Sequence, residues 1–350
     1  MNRNNINDMQ FLSHFYYCHK GGIKIINSYG ESFGILKNTL PLPFALDHIN
    51  CYLLKGKKGC HILDTGLNMP FSHSGWEDFL QNNGVGWNDI KGIYVTHYHP
   101  DHYGSCGWLQ QKTGAPVYMS EREYKNVQYV WLSGFDFMDK FNGHCIKNGV
   151  PEELLEKING IMIKSARSVY PDPPDIDIVS EGDEVMLGDY SYRAICTPGH
   201  SDGHLCFFNE AHGLLLSGDH LLPKITSNVG LWPGSEPNPL KLFFHSLRKV
   251  EKLKPSFVAP AHGWYFDNVS FRVNELLVHH EERLQFMADK ARGGKTAYDI
   301  SKEVFGTNLT LHEVRFAIAE TIAHLVYLES EERIKSCIDK GVTIYYPENG

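Results

Sequence analysis

Short apolar runs, separated by turns rich in glycine, proline and asparagine, cover most of the chain. Runs of this kind are typical of β-strands. They predict strands, several with the loop that follows, at 23–30, 49–56, 60–66, 93–96, 115–120, 175–179, 184–199, 204–210, 213–219 and 255–263. The chain up to about residue 265 is therefore predicted to be rich in β-structure.

Three segments within this region have helical spacing instead. Residues 238–253 place apolar side chains at i, i+3, i+4 and i+7, as an amphipathic helix does; they are Leu240, Phe243, Phe244 and Leu247. The segment at about 121–165 is predicted to be a helical insertion around an aromatic stretch at 135–141. A shorter helix is predicted at 104–114, and it ends at Gly114.

The tail of the chain is almost free of strand signals. Helices are predicted at 270–292, 296–306 and 310–331, followed by a terminal strand at 341–346. This order is the outline of a winged-helix module. Residues 293–350 hold six basic and nine acidic residues, whereas a DNA-reading module usually has a basic excess. We therefore divide the chain into 1–269 and 270–350, and expect a packing or homodimer-contact role for the tail.

Composition narrows the class of protein. With 350 residues and 42% hydrophobic content the chain can bury a sizeable core, and its net charge of -8 argues against nucleic acid as the main partner. No apolar stretch approaches the roughly 20 residues that span a bilayer, and the first residues lack the pattern of a signal peptide. The 8 cysteines form no C-x-x-C pair, which indicates reduced thiols in a cytoplasmic protein.

The candidate chemistry begins at "THYHPDH", residues 96–102, directly after a predicted buried strand. It holds four metal-ligand types in six positions, namely His97, His99, Asp101 and His102. A structural role would not require such a density of ligand side chains. The end of a strand is also where ligands are held rigidly but stay open to substrate.

Three later turns extend the set. His200 in "TPGHSDGH", Asp219 in "SGDH" and His262 in "PAHG" each follow an apolar run and lie next to glycine. Five histidines and two carboxylates suit two borderline metal ions bridged by a carboxylate and a water. The chain has 19 histidines, so others need no such role: we expect His220 to be a packing residue and His279 and His280 to lie on a solvated helix face.

These motifs, together with "LDTG" before them, resemble those of the metallo-β-lactamase superfamily over roughly residues 20–265. The resemblance implies an α+β fold, a four-layer αββα sandwich with the metals at one edge, here carrying the helical insertion and a small C-terminal winged-helix-like domain. The tail is similar to the extension of the hydroxyacylglutathione-hydrolase-like and β-lactamase-like-2 branches.

The resemblance also implies a ligand set. The first metal would be bound by His97, His99 and His200, and the second by Asp101, His102 and His262, with Asp219 bridging. Asp64 of "LDTG" would orient the ligand loop without binding metal. Such ligands suit two Zn²⁺ ions per chain, with iron or manganese as alternatives.

Departures from the family pattern bear on the activity. Many true β-lactamases of this fold have cysteine where Asp219 stands, so the aspartate favours the hydrolase branches over antibiotic hydrolysis. The basic residues with which glyoxalase II grips glutathione have no recognisable equivalents late in this chain, which argues against glutathione thioesters as substrate.

The function predicted from these features is hydrolysis of an ester, thioester or lactone by a metal-bridging hydroxide, with Asp101 carrying a proton to the leaving group. The acyl part of a small-molecule substrate would lie in a channel lined by Trp131, Phe135, Phe137, Met138, Phe141 and Trp232; the alternative is that these side chains only pack the insertion. The rival activity is that of a metal-dependent phosphodiesterase or ribonuclease. A redox role and a scaffold with a decayed site rank lower.

Overall fold

A computed structural model of the chain describes residues 30–133 and 135–348, with Phe135 represented by its backbone alone. The strand predicted at 23–30 therefore falls almost entirely outside the described residues. The strands are β1 Ile35–Pro41, β2 His48–Gly56, β3 Gly59–Leu63, β4 Ile90–Tyr94, β5 Val117–Met119, β6 Ile176–Ile178, β7 Glu184–Leu187, β8 Tyr190–Cys196, β9 Leu205–Asn209, β10 Leu214–Gly218, β11 Phe257–Pro260, β12 Ile334–Asp339 and β13 Val342–Pro347. The α-helices are α1 Pro70–Asn82, α2 Pro100–Tyr103, α3 Cys106–Thr113, α4 Glu121–Val127, α5 Phe135–Lys147, α6 Glu152–Ala166, α7 Pro239–Lys252, α8 Val269–Lys290, α9 Ala297–Phe305 and α10 Leu311–Ser330.

The strands form two large sheets and a hairpin. One sheet has six strands in the order β1-β2-β3-β4-β5-β6, and the other has five in the order β11-β10-β9-β8-β7. Strands β3 to β6 pair in parallel, as do β10 and β11, while the other pairs of the two large sheets are antiparallel. The hairpin β12–β13 ends the chain.

The side chains of each central strand alternate between two cores. In β2, Tyr52 and Leu54 pack between the two sheets, while Leu53 packs outward under α1 and α3. In β10, Leu216 lies in the same central core and Leu215 in the outer core beneath α7 and α8. Successive side chains of a strand point to opposite faces, so a strand buried on both faces separates two apolar layers. The predicted α+β fold, a four-layer αββα sandwich, is confirmed.

The helices predicted around this sandwich are present. The amphipathic helix is α7, whose Leu240, Phe243 and Leu247 are fully buried. The insertion contains α4, α5 and α6, with a π-helical turn at Gln128–Leu132. The tail contains α8, α9, α10 and the hairpin in the predicted order.

One histidine of the tail departs from the prediction. His280 does not lie on a solvated face of α8, because it is only 1% exposed. Its ring packs edge-on against Phe243 and Phe244 of α7, and its Nδ1 lies 3.1 Å from Nε2 of His324 on α10. His280 thus belongs to the interface between the tail and the sandwich.

Two strands, β1 and β12, were not predicted, because neither has the continuous apolar run from which the other strands were predicted. Strand β1 has "KNT" at its centre and lies at the edge of its sheet, so polar side chains are tolerated there. Strand β12 exposes most of its residues and gains its order by pairing with β13. In the described ranges, the seven cysteines are free thiols, and no helix there combines the length and apolar character needed to traverse a bilayer.

Candidate metal centre

The predicted ligands meet at one edge of the sandwich, where four strands end. Strand β4 leads into the loop that carries His97 and His99 and into α2. Strands β8, β10 and β11 of the second sheet end just before His200, Asp219 and His262. Residues separated by more than a hundred positions therefore converge because their strands end at the same edge.

Three imidazole nitrogens form a tight triangle. Nε2 of His97 lies 2.9 Å from Nδ1 of His99, and Nε2 of His200 lies 3.2 Å and 3.1 Å from these two atoms. For ligands about 2.0–2.1 Å from a tetrahedral zinc ion, the geometry requires nitrogens roughly 3.3 Å apart. The triangle therefore has close to the dimensions of three ligands around one ion.

Asp219 connects this triangle to a second group. Its Oδ2 lies 3.4 Å from Nε2 of His200, while its Oδ1 lies 3.4 Å from Nε2 of His102 and 3.1 Å from Nε2 of His262. Oδ2 of Asp101 completes the second group, at 3.7 Å from His102 and 3.6 Å from His262. One oxygen of Asp219 thus faces each group, which is the arrangement that a bridging carboxylate requires.

The outer nitrogens of four histidines have partners that aim their Nε2 atoms inward. Nδ1 of His200 and of His262 each donate to a backbone carbonyl at 2.7 Å, and Nδ1 of His102 donates to Oδ2 of Asp64 at 2.8 Å. The hydroxyl of Thr96 lies 3.0 Å from Nδ1 of His97. Such partners fix the tautomer of a metal-binding histidine.

The convergent atoms fit a cation. Nε2 of His102, Nε2 of His262 and Oδ1 of Asp219 are buried and lack a hydrogen-bond partner within the described part of the chain. Buried polar atoms without partners are costly and rare in folded proteins. Here all three atoms point at one another. A cation bound by the three acceptors would offset the free-energy cost of burying them without hydrogen bonds.

Electrostatics agree with this assignment. Burial, together with neighbouring histidines, holds the pKa of His97 and of His99 well below the usual value, so both rings are neutral acceptors. Burial alone would raise the pKa of Asp219, but His262 and His102 outweigh it and hold that pKa well below 3.8. His97 and His99 are thus neutral and Asp219 is ionised, as metal ligands must be. At His102 and His262 burial is outweighed by Asp219, which raises the pKa of both rings, so a metal ion bound there would displace a proton from each.

The structure places Asp64 and His220 beside the predicted ligands. Asp64 does not face the ligand cluster; its carboxylate accepts from His102 and from the backbone N–H and hydroxyl of Thr96. Its backbone has a φ of +58°, an uncommon conformation for a residue other than glycine. His220 is fully buried with its ring edge-on to Phe243.

Sequence reasoning missed Glu123. This fully buried residue of α4 accepts from the backbone N–H of Tyr98 at 2.9 Å and from that of Gly203 at 2.6 Å. It thereby ties the loop of His97 and His99 to the loop of His200. Burial raises the pKa of Glu123 to about 7. In the sequence it is one of two glutamates in the first turn of a helix, which is no signal for such a role.

A second missed group comes from the tail. The carbonyl of Asn228 accepts from His200, and the side-chain amide of Asn228 donates to Glu320 of α10 at 2.8 Å. Glu320 in turn forms an ion pair with Arg283 of α8 at 3.2 Å. The tail therefore helps to orient a predicted metal ligand, a contact that its sequence does not indicate.

A cavity of about 740 Å³ opens onto the cluster. Its walls include His99, Asp101, His200, Asp219 and His262, and also Trp131, Met138 and Trp232 among the residues predicted to contact substrate. The indole N–H of Trp131 donates to the carbonyl of Tyr98 at 2.9 Å, which holds the insertion against the ligand loop.

Phe141 differs from this prediction. It is 1% exposed, stacks on the far side of Trp232 with ring centroids 6.0 Å apart, and is not among the lining residues. An aromatic residue of an amphipathic helix can face the core as readily as a channel. Here Phe141 packs in the core against Trp232, which itself lines the cavity. The side chain of Phe135 lies outside the described residues.

Comparison with known proteins decides the family. Residues 45–262 match the family model of the Metallo-beta-lactamase superfamily. The chain belongs to the metallo-beta-lactamase superfamily. Residues 284–348 match a second model of this superfamily, described as a metallo-beta-lactamase-like C-terminal domain.

Members of the superfamily resemble the chain over most of their length. The crystal structure of a metallo-beta-lactamase family protein from Thermus thermophilus is 33% identical, with a TM-score of 0.80, and covers 90% of this chain and 98% of its own. A beta-lactamase domain protein from Burkholderia ambifaria is 30% identical, with a TM-score of 0.78 and coverage of 90% and 92%. The probable metallo-hydrolase YqjP of Bacillus subtilis (strain 168) is 26% identical over 321 residues, which are 89% of this chain and 97% of that protein.

The family resemblance read from the motifs is thus confirmed, and the protein is a hydrolase of the metallo-beta-lactamase superfamily with a histidine and aspartate cluster suited to metal. The two zinc ions, the individual ligand roles, the winged-helix character of the tail and the boundary at residue 269 stay predictions.

Proposed function

We propose that the protein hydrolyses an ester, thioester or lactone bond in a small acyl compound, using two metal ions bound by the predicted ligands. The observation that carries this proposal is the cavity. It joins the ligand cluster directly to an apolar wall, and a wall of this kind suits an acyl group better than a polar polymer.

The apolar wall is made largely by the insertion and the loop before β2. Apart from the aromatic residues already described, it contains Leu46, Val130, Met162, Ile163 and Ile225. These residues would exclude water around an acyl chain and hold the scissile carbonyl beside the ligand cluster. Holding the carbonyl and the attacking water in position lowers the entropic part of the activation barrier, because the two reactants already belong to one complex.

The chain's own residues would divide the reaction between them. When bound, a pair of metal ions supplies a water of lowered pKa and polarises the carbonyl. Asp101, with a side chain 17% exposed and facing the cavity, has Oδ2 directed at the second group and Oδ1 left to hold a proton. Water adds to the acyl carbon and gives a proton to Oδ1 of Asp101, the bond to the oxygen or sulfur leaving group breaks, and Asp101 passes that proton to the leaving atom.

The proposal is tested by hydrolysis assays on purified, metal-loaded protein. The panel should contain acyl thioesters of coenzyme A and of glutathione, simple esters, lactones, phosphodiesters and RNA. We expect activity on carbonyl substrates and none on the last two. RNA or phosphodiester cleavage without carbonyl hydrolysis would replace the proposal by the nuclease alternative.

A chain-length series tests the cavity itself. Met138→Ala removes part of the apolar wall, so KM should rise about fivefold for long acyl chains and stay unchanged for acetyl substrates. Met186→Ala is the matched control, since Met186 is 52% exposed on β7 and is not among the cavity-lining residues. An equal effect of Met138→Ala on short and long substrates would show that the wall does not contact the acyl group.

A further inference from the structure

The cavity contains one cationic side chain without a counterion. Arg315, the fifth residue of α10, lines the cavity together with the predicted ligands His99 and Asp101. Its Nε is buried and has no hydrogen-bond partner, and no carboxylate of the described residues lies within ion-pair distance of it. Its one polar contact is a long one, from Nη2 to Nδ1 of His312 at 3.4 Å.

The contact with His312 does not neutralise this charge. Burial, with Arg315 as the next cause, lowers the pKa of His312 to about 4, so its ring is a neutral acceptor. Burial also lowers the pKa of Arg315, to about 10, which leaves the guanidinium charged at neutral pH. The face of Phe316 lies 4.3 Å away and offers only a weak attraction.

Other enclosed arginines of the protein are satisfied internally. Arg283 pairs with Glu320, and Arg272 donates to the carbonyls of Leu222 and Ile225. Arg315 is partly exposed to the cavity while its Nε is buried, and a partly enclosed charge without such partners is unfavourable. Arg315 is therefore an exception, and it occurs in the one wall of the cavity that the tail supplies.

The surroundings make an anion the fitting partner. Two metal cations in the neighbouring cluster would add positive charge beside Arg315 and increase the cost of leaving it unpaired. A guanidinium presents a planar fork of donors that matches a carboxylate or a phosphate. The rest of the cavity wall is mostly apolar, so the matching ligand has an apolar part and one anionic end.

We propose that Arg315 binds an anionic group of the substrate, a carboxylate or a phosphate, while the acyl part lies against the apolar wall. This inference rests on the proposed function and names its substrate class: esters or thioesters that carry a negative charge away from the scissile bond. It also gives the tail a role in specificity, because α10 contributes the selecting residue.

Matched substrates separate the two sources of the anion. The octanoyl thioester of coenzyme A carries phosphates on its leaving group, and the octanoyl thioester of N-acetylcysteamine carries no charge. A third thioester, of N-acetylcysteamine with a carboxylate at the end of the acyl chain, places the anion on the acyl side. Wild-type protein should prefer one of the two charged thioesters, and which one identifies the position of the anion.

Arg315→Met tests the residue itself. It should lower kcat/KM for the preferred charged thioester about 10- to 100-fold, the range expected for losing a charge-assisted hydrogen bond, and change the neutral thioester less than threefold. Arg315→Lys should restore part of the loss. Arg292→Met is the control, because Arg292 is exposed and, in the part of the chain that the structure describes, pairs with Asp289 away from the cavity. Equal losses on charged and neutral thioesters would overturn the inference.

A binding experiment keeps this inference separate from the proposed function. Octanoate, octyl phosphate and octanol are titrated calorimetrically into the metal-loaded wild-type protein and into Arg315→Met. We expect at least one anion to bind more tightly than octanol, and to lose that advantage in the variant, even if no ester is hydrolysed. Absence of anion preference in the wild type, or its full retention in the variant, would overturn the inference. Because the substitution removes a partly buried charge that has no counterion among the described residues, Arg315→Met should melt no lower than the wild type.

Discussion

The carboxylate of Asp64 accepts a hydrogen bond from Nδ1 of His102 at 2.8 Å, in a place where both side chains are buried. That bond leaves Nε2 of His102 as the acceptor that faces Asp219 at 3.4 Å. The orientation of one predicted ligand is thus set by a residue 38 positions earlier, whose carboxylate does not face the ligand cluster.

Asp64→Asn should therefore weaken metal binding without removing a ligand. An amide can accept from only one of the two groups that share the carboxylate, so His102 is no longer held in one tautomer. We expect a loss of about 10- to 100-fold in affinity for one ion per chain, measured by competition with a chelator. Asp89→Asn, on an exposed turn where Asp89 accepts from Gly86, is the control and should leave metal affinity unchanged.

Asp219 is predicted to be the most sensitive ligand. Asp219→Asn keeps the size of the side chain but removes the charge that faces both groups, so kcat should fall at least about a hundredfold and one site should lose occupancy. His220→Ala should destabilise the fold, since His220 is fully buried, yet retain both metals. Full metal content and near-normal kcat in Asp219→Asn would show that Asp219 does not bridge.

Removal of metal provides a third test. The two groups of ligands predict close to two ions per chain by elemental analysis under metal-replete conditions. Treatment with a chelator should lower the melting temperature, because ions that bind only the folded chain stabilise it. His97→Ala should hold fewer ions and show a smaller shift on chelation. A stoichiometry that stays near one would contradict the binuclear arrangement.

Glu123 is predicted to hold two ligand loops together. Glu123→Gln turns one of its acceptor oxygens into a donor that faces a backbone N–H, which should cost about 1–3 kcal/mol of unfolding free energy. Metal retention should fall as well, since both loops carry ligands. Glu121→Gln on the same helix is the matched control: Glu121 is exposed, and its ion pair among the described residues is with Lys125. Equal stability of the two variants in denaturant titrations would refute this role.

The tail should make stability depend on pH. Burial lowers the pKa of His324 to about 3, from 6.5. The unfolded chain then binds the proton more readily than the folded one, so the contribution of His324 is complete above pH 6.5 and is lost as the pH falls toward 3. At about pH 5 the loss is about 2 kcal/mol for one such residue.

His324→Leu should therefore flatten the fall in unfolding free energy between about pH 7.5 and about pH 5, whatever its stability at the upper end of that range. His245→Leu, a change at an exposed position of α7, should keep the wild-type slope. Parallel slopes in wild type and His324→Leu would show that the proton uptake on unfolding resides elsewhere.

Local pattern was enough to predict the parts of this protein whose signal lies within a few residues. Strands β2 and β10 were predicted from short apolar runs bounded by turn residues, and α7 was predicted from its helical spacing. The cluster from His97 to His102 is equally local, because one loop carries four ligand types. Three later glycine-flanked turns then extended that cluster to His200, Asp219 and His262, which the structure brings together.

Tertiary structure alone decided which of the remaining side chains serve the site. Glu123 matters because α4 packs beside two loops distant from each other in sequence, and Arg315 because α10 adds to a cavity lined mainly by residues 42–262. His280 is buried, and Phe141 lies behind the wall, only because of how the helices are placed. The local sequence around these positions is that of an ordinary amphipathic helix and gives no sign of these roles. Their roles depend on burial and on distant partners, and these are properties of the packed chain that no local spacing encodes.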